Sequence, residues 1–207
     1  KNLEMTFRYD PKIEEWYQYR QSHWVRLNKT EASGIIQDRL ETIGKMKDFK
    51  MMFRDGVERA MRSISVLPKS RRKLIAFQNG TYEIETGEFR ENEPTDYLRW
   101  ALPYRYDITA VLNDDSYITQ FLRSFCDDNR NKEQLLLSWM KAVIVGMPNL
   151  QLFLEMVGEG GTGKSTFSGL LVALIGYENH ATTNLKALEE GQFETAKLVD
   201  KRLILMP

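Results

Sequence analysis

Gly158-Glu159-Gly160-Gly161-Thr162-Gly163-Lys164-Ser165-Thr166 is the stretch on which the reading of this chain turns. It fits G-x-x-x-x-G-K-[ST], the pattern of a phosphate-binding loop. An apolar run, Leu150 to Val157, precedes it, and Phe167, Leu170, Leu171, Leu174 and Ile175 follow at helical spacing. The order predicts strand, loop, helix. Glycines let the backbone curl so that successive N–H groups face phosphate oxygens. The helix that begins there carries a partial positive charge at its N-terminus, which favours an anion. The nine residues Gly158, Glu159, Gly160, Gly161, Thr162, Gly163, Lys164, Ser165 and Thr166 are the expected nucleotide-binding set. Within it Lys164 is expected to reach the β- and γ-phosphates, and the Ser165 hydroxyl to ligate Mg²⁺.

The composition bounds the rest. A chain of 207 residues makes one or two domains and can bury a real core. At 42% hydrophobic and 28% charged it reads as an ordinary globular protein. Basic and acidic residues cancel, 29 against 29, so there is no global basic footprint for nucleic acid. A single cysteine, Cys126, excludes an internal disulfide framework and fits a reducing compartment. Its apolar helical setting makes it a core residue. Cys126, His23 and His180 form no zinc spacing. No apolar run approaches membrane-spanning length and no signal-peptide pattern opens the chain, so the expected location is the cytoplasm. The chain begins at Lys1 and stops at Pro207 in what reads as a buried strand, Leu203 to Met206, so both ends look cut from a longer protein.

Ahead of the loop, residues 14–27 read as a hairpin with a tip at Gln21-Ser22. Its Trp16, Tyr17, Tyr19 and Trp24 form either a small aromatic core or, with Arg20 and Arg26, a platform for bases. Asn28 or Thr30 caps a helix carrying Ile35, Ile36, Leu40 and Ile43, with Gly44 as its stop. Residues 45–67 continue helical through Met46, Phe49, Met52, Phe53, Val57, Met61 and Ile64, apolar positions that read as core, and Gly56 is a possible break. The basic run Lys69-Ser70-Arg71-Arg72-Lys73 is a solvated loop or a phosphate-backbone contact. Leu74 to Phe77, a turn at Asn79-Gly80, Thr81 to Ile84, a turn at Thr86-Gly87, and Glu88-Phe89 make a small meander. Residues 94–107 are irregular and aromatic.

Asn113 to Ser116 cap a helix with Ile118, Phe121, Leu122 and Phe125 on one face. A second helix, about 131–146, carries Leu135, Leu136, Trp139, Met140 and Val143, and Pro148 ends it. Asp127-Asp128 between them is a loop and cap rather than a metal site. Past the loop's own helix, Gly176 is a stop, Ala181 to Thr183 a short strand, and 185–188 and 193–198 short helices. Leu203 to Met206 reads as a strand inside a parallel sheet covered on both faces. Glu155 interrupts the strand expected before the loop; it faces solvent, an interface or a buried partner.

Several of these blocks, in this order, resemble the phage and plasmid primase-helicases, whose C-terminal half is a superfamily-3 helicase. They are Trp16 to Leu27; Leu74 to Gly80 with Glu85-Thr86-Gly87; Tyr97 to Asp107; Phe153 to Thr166; and Phe193 to Leu205. Thr162 stands where that family usually carries Asn, a small polar exchange. The resemblance implies an α/β fold in three parts. Residues 1–112 would be a mostly helical α+β domain with small hairpins, 113–148 a helical connector, and 149–207 the first half of a P-loop, AAA+-like core.

It further implies an ATP-dependent DNA helicase that replicates a phage, plasmid or other mobile element. Such an enzyme uses ATP and Mg²⁺, moves on single-stranded or forked DNA, and assembles as a homo-oligomeric, usually hexameric ring, with a primase or polymerase domain or partner. Lys164 and Ser165 are the catalytic residues it would place here. The Walker B acids, the polar sensor, the DNA-contacting hairpin and the arginine finger do not fall within these residues. The piece by itself is therefore expected to hydrolyse ATP poorly or not at all. Two other classes stay open on the residues: a P-loop small-molecule kinase, and a non-catalytic segment for oligomerisation or polymerase docking.

Overall fold

The structure, a computed structural model, describes residues 6–43, 51–70, 73–111, 113–191 and 194–207. It is a mixed α/β protein of helices and small sheets, divided into two compact units, Lys1–Trp100 and Ala101–Pro207.

The first unit is built on an antiparallel sheet of β1 (Phe7–Asp10), β2 (Glu15–Arg20) and β3 (His23–Leu27). The register pairs Tyr9 with Trp16, Trp16 with Leu27 and Tyr19 with Trp24. Side chains alternate across a strand, and here both faces are covered. On one face Phe7, Tyr9, Trp16 and Leu27 pack with Ala32 and Ile36. Phe7 and Trp16 stack at 4.5 Å. On the other face Tyr17, Trp24 and Leu67 form a second cluster, flanked by Ile13, Tyr19 and Tyr97. That is why the sequence reads Trp-Tyr-Gln-Tyr rather than alternating apolar and polar. It also settles the aromatic hairpin as core: Trp16 is 4% exposed, Tyr17 0% and Trp24 1%. Strand β1 was not foreseen, although Phe7 and Tyr9 show the period-two pattern.

Helix α1 (Lys29–Thr42) begins at Asn28 rather than Thr30. The Asn28 side chain accepts from the Glu31 N–H at 2.9 Å, and the Glu31 carboxylate accepts from the Asn28 N–H at 2.9 Å, a reciprocal capping box. The expected stop at Gly44, and the expected core residues Met46 and Phe49, lie outside the described residues. Helix α2 (Met51–Ile64) runs unbroken through Gly56. Only its middle meets the sheet, through Val57 and Met61. Met52, Phe53 and Ile64 are 84%, 50% and 69% exposed, contrary to the core expectation, because the part of α2 packed on the first unit's core runs through Val57 and Met61. The chain leaving α2 binds the sheet edge: Tyr9 donates to Ser65 O and Leu67 donates to Tyr9 O.

A second antiparallel sheet holds β4 (Leu74–Phe77), β5 (Gly80–Glu83) and β6 (Phe89–Arg90). Its first turn is Gln78-Asn79, and Gly80 already pairs with Phe77 on the strand. A Cβ at Gly80 would lie 2.5 Å from Arg90 O and from the Phe89 ring, so the glycine answers a close approach of strands. Pro94–Asp96 form a short 3₁₀ turn, contrary to the expectation of a wholly irregular stretch; 97–100 are irregular, and the segment is pinned by polar bonds. Trp24 Nε1 donates to Pro94 O at 2.9 Å and Arg90 clamps Asp96 with two bonds. Arg99 donates to Asp10 at 2.5 Å while lying over the Tyr17 ring.

The second unit contains α3 (Tyr117–Phe125), α4 (Arg130–Val145), α5 (Lys164–Ile175) and α6 (Leu185–Glu190). A parallel pair, β7 (His180–Thr182) and β8 (Leu203–Leu205), completes it. Ser116 and Asn129 cap α3 and α4. Helix α4 ends at Gly146 in the left-handed region, before Pro148 is reached. The buried core joins Leu122, Cys126, Leu136, Val143, Phe167, Leu171, Ile175 and Leu203. Leu135, expected on the inner face of α4, is 60% exposed, because the buried stripe runs through Leu136 and Val143 instead. Ile204 is 40% exposed, so β8 is open on one side rather than covered on both. Glu194 to Leu198 form a 3₁₀ turn; Phe193 lies outside the described residues.

Arg202 ties the second unit together. Its backbone N–H donates to Asn179 O, and its guanidinium donates to Ile144 O at the end of α4. Burial pushes its pKa down to about 10. The Asn179 amide in turn bonds Ala101 O and Ile175 O.

Candidate functional site

The apolar run before the glycine loop does not form the expected strand. Residues 151–159 carry no regular structure. Leu154 and Met156 pack on the core of the second unit. Phe153 and Val157, on the other side of the alternation, are 83% and 87% exposed. The pattern is period-two, yet a strand also needs a neighbour to take its backbone bonds. Among the described residues β7 and β8 pair with each other and not with this run. Glu155 is exposed, which excludes a buried partner for it within this unit.

The loop itself is sharply shaped. Gly161 and Gly163 sit at φ +82° and +90°, in the region that side chains disfavour. Thr162 Oγ1 donates to Glu159 O at 2.9 Å across the turn. Phe167 N–H donates to Gly163 O at 2.9 Å, which closes the first turn of α5. The preceding N–H groups of that turn have no partner within the helix, as at any helix start. Lys164 folds back over the loop. Its ammonium donates to Gly158 O at 2.8 Å, Glu159 O at 2.7 Å and Thr162 Oγ1 at 3.1 Å. A side chain at Gly158 would start 3.8 Å from that ammonium and 3.4 Å from Thr162 Oγ1, inside the same cup. Ser165 and Thr166 are exposed on the first turn of α5, and the opposite face of α5 buries Phe167, Leu171 and Ile175 completely or nearly so.

The arrangement therefore gathers Gly158 through Thr166 into one curled segment at the N-terminus of a 12-residue helix. The chemistry available there is hydrogen-bond donation toward an anion, from helix N–H groups, one ammonium and two hydroxyls. Other sequence candidates stand apart from it. Asp127 and Asp128 occupy a tight turn with positive φ, and Asp127 pairs with Lys132. No group of three or more potential metal-ligating side chains occurs among the described residues. Cys126 is buried and burial pushes its thiol pKa up, so it behaves as a core residue. Arg71 and Arg72 of the basic run lie outside the described residues. No helix among the described residues is long and apolar enough to cross a membrane.

Two residues of the site were missed. Phe121 and Phe125 of α3 stand against Gly163, and their i, i+4 spacing was the available signal that they share a face.

Comparison with known proteins places these features in context. Residues 156–207 match a family of unknown function, DUF5906. The chain is 28% identical over 162 residues to a candidate helicase of Acanthamoeba polyphaga mimivirus, covering 72% of this chain and 17% of the viral protein. It is 30% identical over 103 residues to a candidate helicase of Invertebrate iridescent virus 6, covering 48% of this chain and 10% of that protein. It is also 25% identical over 131 residues to an uncharacterized mitochondrial protein, ymf21, of Marchantia polymorpha, covering 59% of this chain and 73% of that protein. The chain thus spans less than a fifth of the two viral relatives. A further family match takes in the two antiparallel sheets, the aromatic stretch 94–107 and helix α3. Residues 2–127, more than half of the sequence, fit the description D5 N terminal like, and the chain belongs to that family.

Proposed function

We propose that this chain is the part of a superfamily-3 DNA helicase that leads into, and begins, its ATPase core. The observation that carries the reading is the segment Gly158–Thr166: two left-handed glycines, a helix N-terminus and Lys164 folded over the same cup. The similarity to viral candidate helicases supports a helicase over the other users of such a loop.

In this reading the N–H groups at the start of α5 bind the β- and γ-phosphates of ATP. Lys164 exchanges its carbonyl partners for phosphate oxygens, and Thr162 braces the loop. Ser165 is the residue that would hold Mg²⁺, which supplies charge neutralisation on the phosphates. The P-loop core begins near residue 149. Residues 1–112 are the preceding domain in this reading and 113–148 the connector, although the compact units divide at Trp100 and Ala101 and α3 and α4 share the core of α5. The full-length protein works as a homo-oligomeric ring, hexameric by its resemblance, on single-stranded or forked DNA in the cytoplasm of the cell that replicates a mobile element.

The test is ATP hydrolysis by the full-length protein with and without single-stranded DNA. DNA is expected to stimulate hydrolysis, and Lys164→Ala to lower it by about 100-fold or more, the scale of losing one well-placed donor to transition-state charge. A full-length protein whose hydrolysis ignores DNA, or survives Lys164→Ala, overturns the reading.

A further inference from the structure

Gly163 is the last residue before α5, and it is constrained twice. Its φ of +90° alone disfavours any side chain. Independently, a Cβ there would lie 3.2 Å from Phe125 Cδ2 and 3.5 Å from Phe121 Cε2. The aromatic rings of α3 are thus pressed against the backbone where the loop becomes helix. The rings also form a continuous stack. Phe121 and Phe125 lie 5.6 Å apart at 20°, and Phe125 and Phe167 lie 5.6 Å apart at 7°. Phe167 is fully buried, and its N–H closes the first turn of α5 onto Gly163 O. The stack therefore grips the glycine from two sides: from α3 through ring contact, and from α5 through the residue whose amide bonds Gly163.

We infer that Phe125, with Phe121, is a positioning residue for the phosphate loop: α3 acts as a strut that fixes the direction of the N–H groups at the start of α5. The core needs apolar volume at these positions, which leucine would supply equally well. A rigid ring placed against the backbone at Gly163 is a different requirement, because it has no internal torsion through which to yield when the peptide unit moves. An oriented donor set is worth more to a bound anion than a mobile one, since its geometry is fixed before binding. The strut rests on the proposed phosphate-binding role only for its use; its existence as a mechanical element does not.

The experiment uses the full-length protein and two readouts. Hydrogen exchange, measured without nucleotide, follows peptides covering 158–167 and, as an internal reference, α4. Phe125→Leu and Phe121→Leu are each expected to speed exchange of 158–167 about fivefold or more relative to α4. Phe125→Tyr, which keeps the ring, is expected to stay within about twofold of wild type. Leu136→Ala, a core change on α4, is expected to loosen α4 at least as much as the loop. Calorimetry with Mg-ATP should then show the two leucine variants binding about five- to tenfold more weakly, with Phe125→Tyr unchanged. The strut is overturned if the leucine variants leave the loop's exchange unaltered, or if Leu136→Ala loosens the loop as much as they do. If wild-type protein fails to bind Mg-ATP, the nucleotide reading falls, while the exchange comparison still decides the strut.

Discussion

The hairpin of β2 and β3 and the run ahead of the glycine loop use similar residues to opposite ends. Both alternate, and both are rich in large apolar side chains. Trp16, Tyr17 and Trp24 are buried to within a few per cent. Leu152, Phe153 and Val157 are at least 70% exposed. The difference lies in what each backbone meets. The hairpin's N–H and C=O groups pair with β1 and with each other, and helices and loops then cover both faces. The second run has core contact through Leu154 and Met156 on one side and no ladder on either edge among the described residues. Apolar sequence makes a strand only where a neighbour can accept its hydrogen bonds, because unpaired backbone groups cannot be buried cheaply.

Substitutions can test that contrast. The largest effect is expected for Trp24→Ala, which removes a ring buried between β3 and the 94–98 stretch and the bond from its indole N–H to Pro94 O. Thermal or urea unfolding should show a loss of about 3–5 kcal/mol. Next is Asp10→Asn, which leaves Arg99 facing a neutral amide. The side chains of the pair are 8% and 20% exposed. Allowing for that partial solvation, urea unfolding should show a loss of about 2 kcal/mol, below the range for a fully buried pair.

A smaller effect comes from pH. Burial holds the His23 pKa below its ordinary 6.5. At Asp10 burial pushes the carboxyl up, but bonds from the Lys12 N–H and from Arg99 outweigh it and hold the group below its ordinary 3.8. Both native groups bind protons less readily than the unfolded chain does, so each favours folding at higher pH. The His23 contribution is present above 6.5 and fades as pH drops from there toward its lowered value. The Asp10 contribution is present above 3.8 and is lost below it. Melting temperature against pH should fall in those two steps, and His23→Gln should flatten the first. The smallest change is expected for Phe153→Ser. A side chain 83% exposed contributes little to folding, so unfolding should move by no more than about 0.5 kcal/mol. A loss of several kcal/mol there would show that the two segments are alike after all.

Local signals carried most of the elements. The caps at Asn28 and Ser116 and the hydrophobic spacing of α3, α4 and α5 are short-range patterns, and the helices follow them, whereas the cap of α4 is Asn129 rather than Asp127-Asp128. The meander of β4, β5 and β6 was equally legible, with its first turn displaced by one residue. What could not be read were relations between distant residues. Nothing near Met52 says that the core meets α2 at Val57 and Met61 instead, and nothing near Ile204 says that one side of β8 stays open. At the candidate site, the glycine pattern located the loop and the start of α5. The ring stack on Gly163 depends on how α3 crosses α5, which no spacing encodes. The same holds for Arg202, whose guanidinium fills the place where a Cβ on Gly146 would stand, 56 positions away.

The three hydrogen bonds from the Lys164 ammonium to its own loop have a consequence for how a ligand would arrive. An anion reaching this segment meets a backbone already bent into its working curve, with the ammonium stapling the curve from inside. Ordering a chain segment costs about 1–2 kcal/mol per residue, and a staple of this kind defrays that cost before any encounter. What remains is an exchange of lysine partners, carbonyl oxygens for ligand oxygens, with little net change in the number of hydrogen bonds. Replacing the ammonium with a group that cannot staple would therefore do two kinds of harm at once: it would remove a positive charge from the ligand, and it would let the waiting loop unwind.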